Sequence, residues 1–256
     1  MKDQTPKLVR PATPHAFSGL LHLSHWQYEQ VAVVPERNTL PYLGEDAADT
    51  MASSGFYSGF VKRVLDILFV ILSLPVALPI ILLCALALYL EGGRPFYTQP
   101  RLGRGGRRFS IYKLRTMITN ADETLERILR EDPVLRAEWE STQKLKNDPR
   151  ITPVGDFLRK TSLDELPQLW NVLTGEMSIV GPRPMLPQQL PLYRTPETYF
   201  SLRPGITGLW QVSARNEKGF GYRAEVDAEY LHKLNLGTDL SILVQTVGVV
   251  LRQTGY

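Results

Sequence analysis

Adjacent Asp164 and Glu165 stand two residues before Pro167 at the head of a short apolar run. Arg159 and Lys160 lie just upstream, and Arg183 is held between Pro182 and Pro184. These types suit phosphate chemistry. An Asp carboxylate can attack phosphorus as a nucleophile, splitting one transfer into two steps, while a neighbouring Glu can hold a hard divalent cation that neutralises phosphate oxygens. Arg183, its backbone stiffened by two prolines, can offer a phosphate its rigid donor fork. Plain structural roles compete. Ser162 with Glu165 three residues on has the form of a capping box, and Arg183 could be a surface arginine in a proline-rich turn. The capping box would set Pro167 at the fifth helical position, where its missing N–H breaks a bond. Asp164 as N-cap sets Pro167 at the third, where no bond is lost.

Other chemistries are excluded by composition. One Cys rules out a disulfide framework, and of four His three (His15, His22 and His25) lie in the polar N-terminal stretch, so no zinc-ligand spacing is available. A metal would be held by oxygens, which fits Mg²⁺. The D-x-D element expected to hold a nucleotide-bound metal in a glycosyltransferase that moves a sugar without its phosphate does not occur.

The elements that must position these side chains are legible in outline. Residues 1–59 carry four Lys/Arg and six Asp/Glu, with scattered Pro and no sustained period, and read as a disordered N-terminal tail. No cleavable signal peptide is expected. The net charge of +3 therefore conceals a body of 25 basic and 20 acidic residues. Its stretch 92–121 contains Arg94, Arg101, Arg104, Arg107, Arg108, Lys113 and Arg115 with no acid among them, suited to an anionic lipid surface or phosphates, or else to a solvated loop.

Val64 to Leu90 is a 27-residue apolar run with one charge, long enough to span a hydrocarbon core. Pro75 and Pro79 lie within it and are expected to break the helix, with Ser73 serving a freed carbonyl. Basic residues flank both ends (Lys62 and Arg63, then the arginines from Arg94), so both ends are expected in the cytoplasm and the helix to be re-entrant. A kinked true span is the alternative. Beyond it, alternation over Phe109 to Leu114 after Gly103, Gly105 and Gly106 predicts a hairpin. Residues 121–146 predict a surface helix interrupted near Pro133, and 163–173 and 222–234 predict further helices. Leu236–Leu251 predicts an apolar helix in the membrane interface with Asp239 as N-cap.

The ordered segments K-R-x-x-D-I before the apolar run, F-Y-x-Q-x-R-x-G, Y-K-L-R-T-M, D-P-R-I-T, T-S-L-D-E-L-P-Q-L-W-N-V-L, S-I-V-G-P-R-P and R-P-G-I-T-G-L-W-Q-V together resemble the bacterial sugar transferases. These are monotopic polyprenyl-phosphate hexose-1-phosphate transferases that start exopolysaccharide assembly. The resemblance covers about residues 60–252. It implies Asp164 as nucleophile, Glu165 as Mg²⁺ ligand, and Arg183 near the substrate phosphate. Arg101, Lys113 and Arg115 of the basic stretch are expected to hold lipid and nucleotide phosphates. The partners implied are a UDP-sugar (galactose or glucose), undecaprenyl phosphate and membrane lipid at the bacterial inner membrane. No nucleic acid is expected, and self-association is left open. Two departures stand out. Leu78 precedes Pro79 where the family has Ser, leaving the break between Pro75 and Pro79, and Ser213-Ala214-Arg215 differs from the usual small residue and Gly before Arg. The resulting expectation is an α+β, mostly helical monotopic membrane protein. Residues 1–59 form its tail, 60–93 a broken re-entrant helix, and 94–256 a cytoplasmic phosphoglycosyl transferase domain with interfacial amphipathic helices. A membrane-bound scaffold of a polysaccharide machine is the non-enzymatic alternative.

Overall fold

The computed structural model describes residues 55–142, 145–193, 195–213 and 222–251. Residues 1–54 of the expected tail (1–59), and Ala214 and Arg215, lie outside these. Helical backbone is already present in a π-helical segment, Tyr57–Val61, upstream of the expected boundary at residue 60. It passes into α1, Lys62–Glu91, which at 30 residues is about 45 Å long. Together they form one apolar helix long enough to cross a membrane.

The expected interruption at the prolines is corrected. Pro75 and Pro79 both lie inside α1, with no non-helical residue between its ends. Each removes one i→i−4 donor, from the carbonyls of Ile71 and Pro75, but four residues apart both losses fall on one face. That weakens the face without ending the helix. Ser73 Oγ donates to the Val70 carbonyl (2.9 Å), not to that of Ile71.

One stripe of α1 is buried: Asp66, Val70, Ala77, Ala85 and Leu88 recur at helical spacing. Leu72, Val76, Leu82, Leu83 and Leu86 on the other faces are exposed. Both ends are tied to the same body. Near the start, Lys62 Nζ meets Asp239 Oδ2 at 2.5 Å, and Arg63 donates to the carbonyls of Val172 (2.5 Å) and Leu173 (2.8 Å). Asp66 Oδ1 accepts from Ser178 Oγ (3.0 Å) and the Ile179 amide (2.9 Å). At the far end the Leu88 carbonyl accepts from Arg115 Nη2 (3.2 Å), and Glu91 Oε1 accepts from the Val154 amide (3.2 Å).

The expected hairpin is present. β1, Phe96–Leu102, pairs antiparallel with β2, Arg108–Leu114, with Tyr97 opposite Lys113 and Arg101 opposite Phe109. Gly105 and Gly106 adopt positive φ (67° and 72°) in the connection, a conformation open to glycine at little cost. α2, Ala121–Glu131, and α3, Pro133–Thr142, are the interrupted surface helix. Asp132 Oδ1 accepts from the amides of Val134 and Leu135, so the break is a capped restart with Pro133 in the first turn.

α4, Pro153–Thr161, ends at Ser162, whose φ of 57° makes it the one left-handed non-glycine residue among those described. A 3₁₀ segment, Leu163–Gln168, follows and becomes α5, Leu169–Thr174. Next come β3, Ser178–Val180; a 3₁₀ turn, Pro187–Leu192; α6, Pro196–Ser201; and β4, Gly205–Thr207, parallel to β3. α7, Leu209–Ser213, α8, Tyr222–His232, and α9, Leu236–Leu251, complete the described order. Val70 and Ala77 of α1 share one core with Ile111, Leu169, Val172, Met177, Val180 and Tyr230.

Asp239 is not the N-cap of α9. Asn235 fills that role, its Oδ1 accepting from the Thr238 amide (2.9 Å). Asp239 lies a turn inside, where it accepts from Tyr57 and Tyr230 (2.7 Å each) as well as Lys62. Along α9, Leu236, Leu240, Val244, Val247 and Leu251 are exposed and recur on one face.

Candidate active site

The D-E segment is positioned by what precedes and follows it. Left-handed Ser162 closes α4, its amide donating to the Arg159 carbonyl, and the chain turns directly into the 3₁₀ segment. Neither the Ser162 capping box nor the Asp164 cap forms. Ser162 makes no side-chain cap bond, and both carboxylates face strand β2 instead. Asn171, fully buried, fastens that strand to α5. Its Oδ1 accepts from the Tyr112 amide (3.1 Å) and its Nδ2 donates to the Ser110 carbonyl (2.8 Å).

Lys113 therefore stands over the pair, Nζ at 2.7 Å from Glu165 Oε1 and 3.4 Å from Asp164 Oδ2. Arg183 Nη2 approaches Glu165 Oε1 at 3.5 Å. A shallow cleft is lined by Arg101, Lys113, Glu165, Gln168 and Arg183, with Ile111 and Ile206 as apolar walls. Asp164 is only 7% exposed and sits beside this lining rather than in it. Burial pushes its carboxyl above the ordinary range. Lys113 opposes that shift, Glu165 adds to it, and Arg159 opposes it. Arg159, left out of the sequence-based site, is thus an electrostatic neighbour of Asp164. Its Nε donates to Thr116 Oγ1 at 2.8 Å.

The P-R-P turn is held by close backbone packing. Cβ atoms built on Gly181 and Gly208 would come within 2.3 Å of the Arg203 carbonyl oxygen and 2.0 Å of the Gly181 carbonyl oxygen. Side chains there would push S-I-V-G-P-R-P and R-P-G-I-T-G apart. Arg101 Nη1 donates to the Pro184 carbonyl (3.2 Å), and burial followed by the nearby Arg183 charge pushes its guanidinium down to about 10. Arg101, Lys113, Glu165 and Arg183 are thus brought together with Asp164. Arg115 is not. It caps the C-terminal end of α1 at Leu88 and packs against Gly93, because a cation there satisfies a terminal carbonyl. The D-P-R-I-T segment is structural as well: Arg150 grips Asp148 through two bonds (2.8 and 2.6 Å), and Thr152 caps α4. Sequence reasoning missed Asn171 and Asp66. A buried-type amide and an acid in an apolar run were the available signals.

No cluster of three or more His, Cys, Asp or Glu that could hold a metal occurs among the described residues. The carboxylates at the site are Asp164 and Glu165, and Glu165 Oε1 is engaged by Lys113 (2.7 Å) and approached by Arg183 (3.5 Å).

Residues 57–253 match the family model described as bacterial sugar transferase. The UDP-galactose-lipid carrier transferase of Erwinia amylovora is 42% identical over 248 residues, covering 92% of this chain and 52% of the relative. The undecaprenyl-phosphate galactose phosphotransferase of Salmonella typhimurium matches equally, at 42% over 248 residues with the same coverage. The exopolysaccharide production protein ExoY of Rhizobium meliloti is 44% identical over 199 residues, 77% of this chain and 88% of the relative. The chain thus spans about half the length of the first two and most of the third. With that family model covering residues 57–253, most of its length, the chain belongs to the bacterial sugar transferases.

Proposed function

We propose that the protein transfers hexose-1-phosphate from a UDP-sugar to undecaprenyl phosphate at the inner membrane, the first membrane step of exopolysaccharide assembly. The observation that carries this reading is a buried carboxylate, Asp164, beside an open cleft whose polar lining is mostly cationic and includes the paired carboxylate Glu165. Asp164 attacks the sugar-proximal phosphorus and the bond to the UMP oxygen breaks. An oxygen of the lipid phosphate then attacks that phosphorus and frees the aspartate. Arg183 and Arg101 hold the donor phosphates, and Lys113 opposes the upward shift that burial imposes on the Asp164 carboxyl. Glu165 would hold Mg²⁺, which when bound neutralises phosphate oxygens. The names of the relatives favour galactose as the hexose.

A monotopic placement of α1, with both ends on one side of the bilayer, is supported by the ties at both of its ends to one body, and the basic residues that flank it favour the cytoplasmic side. The apolar face of α9, with exposed Phe157 and Trp170, suits contact with the same leaflet. The test is product analysis of purified protein with UDP-galactose, UDP-glucose and undecaprenyl phosphate. UMP with a polyprenyl diphosphate sugar is expected, and without acceptor a label on sugar and phosphate stays on the protein. Release of UDP, or no turnover, defeats the proposal.

A further inference from the structure

Behind the P-R-P turn lies a buried group of side chains that the reaction above does not use. Arg223 on α8 donates from Nη2 to the Arg183 carbonyl at 3.1 Å, and its guanidinium lies 5.9 Å from the Trp210 ring centre. Asp227, one helical turn on, accepts from the Tyr193 hydroxyl. Tyr193 packs edge-on against Tyr199, whose hydroxyl accepts from the Met185 amide (2.9 Å) and donates to the Leu102 carbonyl (2.5 Å). The turn is thus fastened at three consecutive residues: Arg183 by Arg223, Pro184 by Arg101, and Met185 by Tyr199.

The electrostatics of this arrangement are unusual for a purely structural contact. Arg223 is buried, and its guanidinium is pushed below its ordinary range by that burial first and by the Arg183 charge second. Asp227 opposes both. A neutral donor would fasten a carbonyl without bringing a second buried cation beside Arg183. Asp227 and the Trp210 ring offset part of that charge, and the hydrogen bond to the Arg183 carbonyl ties it to the turn that carries Arg183. The Arg223 guanidinium also reaches Arg183 through the backbone, leaving the Arg183 side chain directed at Glu165 and the cleft.

We propose that Arg223, counterbalanced by Asp227, is a positioning residue that fixes Arg183 for the diphosphate of the nucleotide donor. This rests on the transferase reading above. Arg223 acts through Arg183 and does not itself touch the substrate, so its effect must vanish when the Arg183 side chain is gone.

The test is a double-mutant cycle read by equilibrium binding of UDP to the full chain in nanodiscs. Arg223→Gln removes the charge and shortens the side chain by two bonds, which takes its donor away from the Arg183 carbonyl. It is expected to weaken UDP binding on the order of tenfold in the wild-type background and to have no further effect in Arg183→Ala. Asp227→Asn, which keeps the shape beside Tyr193, is expected to move binding in the same direction by a smaller factor, and it carries the test if Arg223→Gln fails to fold. The acceptor KM should be unchanged in both, whereas a general loosening of the body would raise it too. Independent losses in the cycle, or unaltered UDP binding in the folded single variants, would overturn the positioning role while leaving the transferase reading intact. A wild-type chain that binds no UDP would remove both.

Discussion

At the scale of single residues, the paired carboxylates separate chemistry from structure. Asp164→Asn removes the proposed nucleophile but relieves a buried carboxylate of its desolvation, so turnover is expected to fall by several orders of magnitude while the thermal midpoint holds or rises. Near wild-type turnover by this variant would end the assignment. Lys113 gives a second prediction with a defined sign. Asp164 must be ionised to attack, burial raises its pKa, and Lys113 is the largest opposing influence. In Lys113→Met the acid limb of kcat/KM against pH is therefore expected to move to higher pH, as a pH–rate profile would show. The paired carboxylates of the candidate site could be read from their types and adjacency. Which cations face them could not: Arg115 carries the same charge as Lys113 two residues away, and strand alternation would set it on the same face, yet it lies past the end of β2 and the end of α1 claims it.

Elements were legible wherever their signal was local. Alternation marked β2, the glycines marked its turn, and Pro133 marked the restart of the surface helix. Where the outcome depended on partners far along the chain, local rules misled. Asp239 has the type of an N-cap, but tyrosines 57 and 230 and Lys62 claim it, and Asn235 caps instead. Asp164 was likewise drawn from capping by Lys113. The prolines of α1 bend the rule in another way, since long apolar flanks sustain a helix through two lost bonds. Two predictions belong here. Ser162→Gly relieves a left-handed serine at the joint before the D-E pair and should stabilise by roughly 0.5–1 kcal/mol in denaturant unfolding with activity retained. Ser162→Val should do the reverse. Replacing Pro75 and Pro79 together by Leu removes two interior breakers of about 3 kcal/mol each. The stiffer α1 is expected to shift toward a true span and lose activity; unchanged topology with full turnover would refute this.

For the whole molecule, that topology has a direct readout. With Cys84 replaced by Ser, single cysteines at Ser58 and Ser110 are both expected to stay unlabelled by an impermeant thiol reagent on intact cells, because ties at both ends of α1 hold them on one side. Labelling of one alone would establish a span. The same ties carry a consequence for how the chain is made. Asp66 finds its hydrogen-bond partner in Ser178, 112 residues later, and Lys62 finds Asp239 only 177 residues later. At roughly 5–20 residues per second of synthesis, the first waits about 6–22 s and the second about 9–35 s after leaving the ribosome. Through that interval the growing chain holds an acid inside an apolar helix with no native partner. In the proposed placement, water and lipid headgroups solvate it near the surface of the bilayer, and the late-arriving body meets a helix already there. A helix translated far later, α9, thus locks α1.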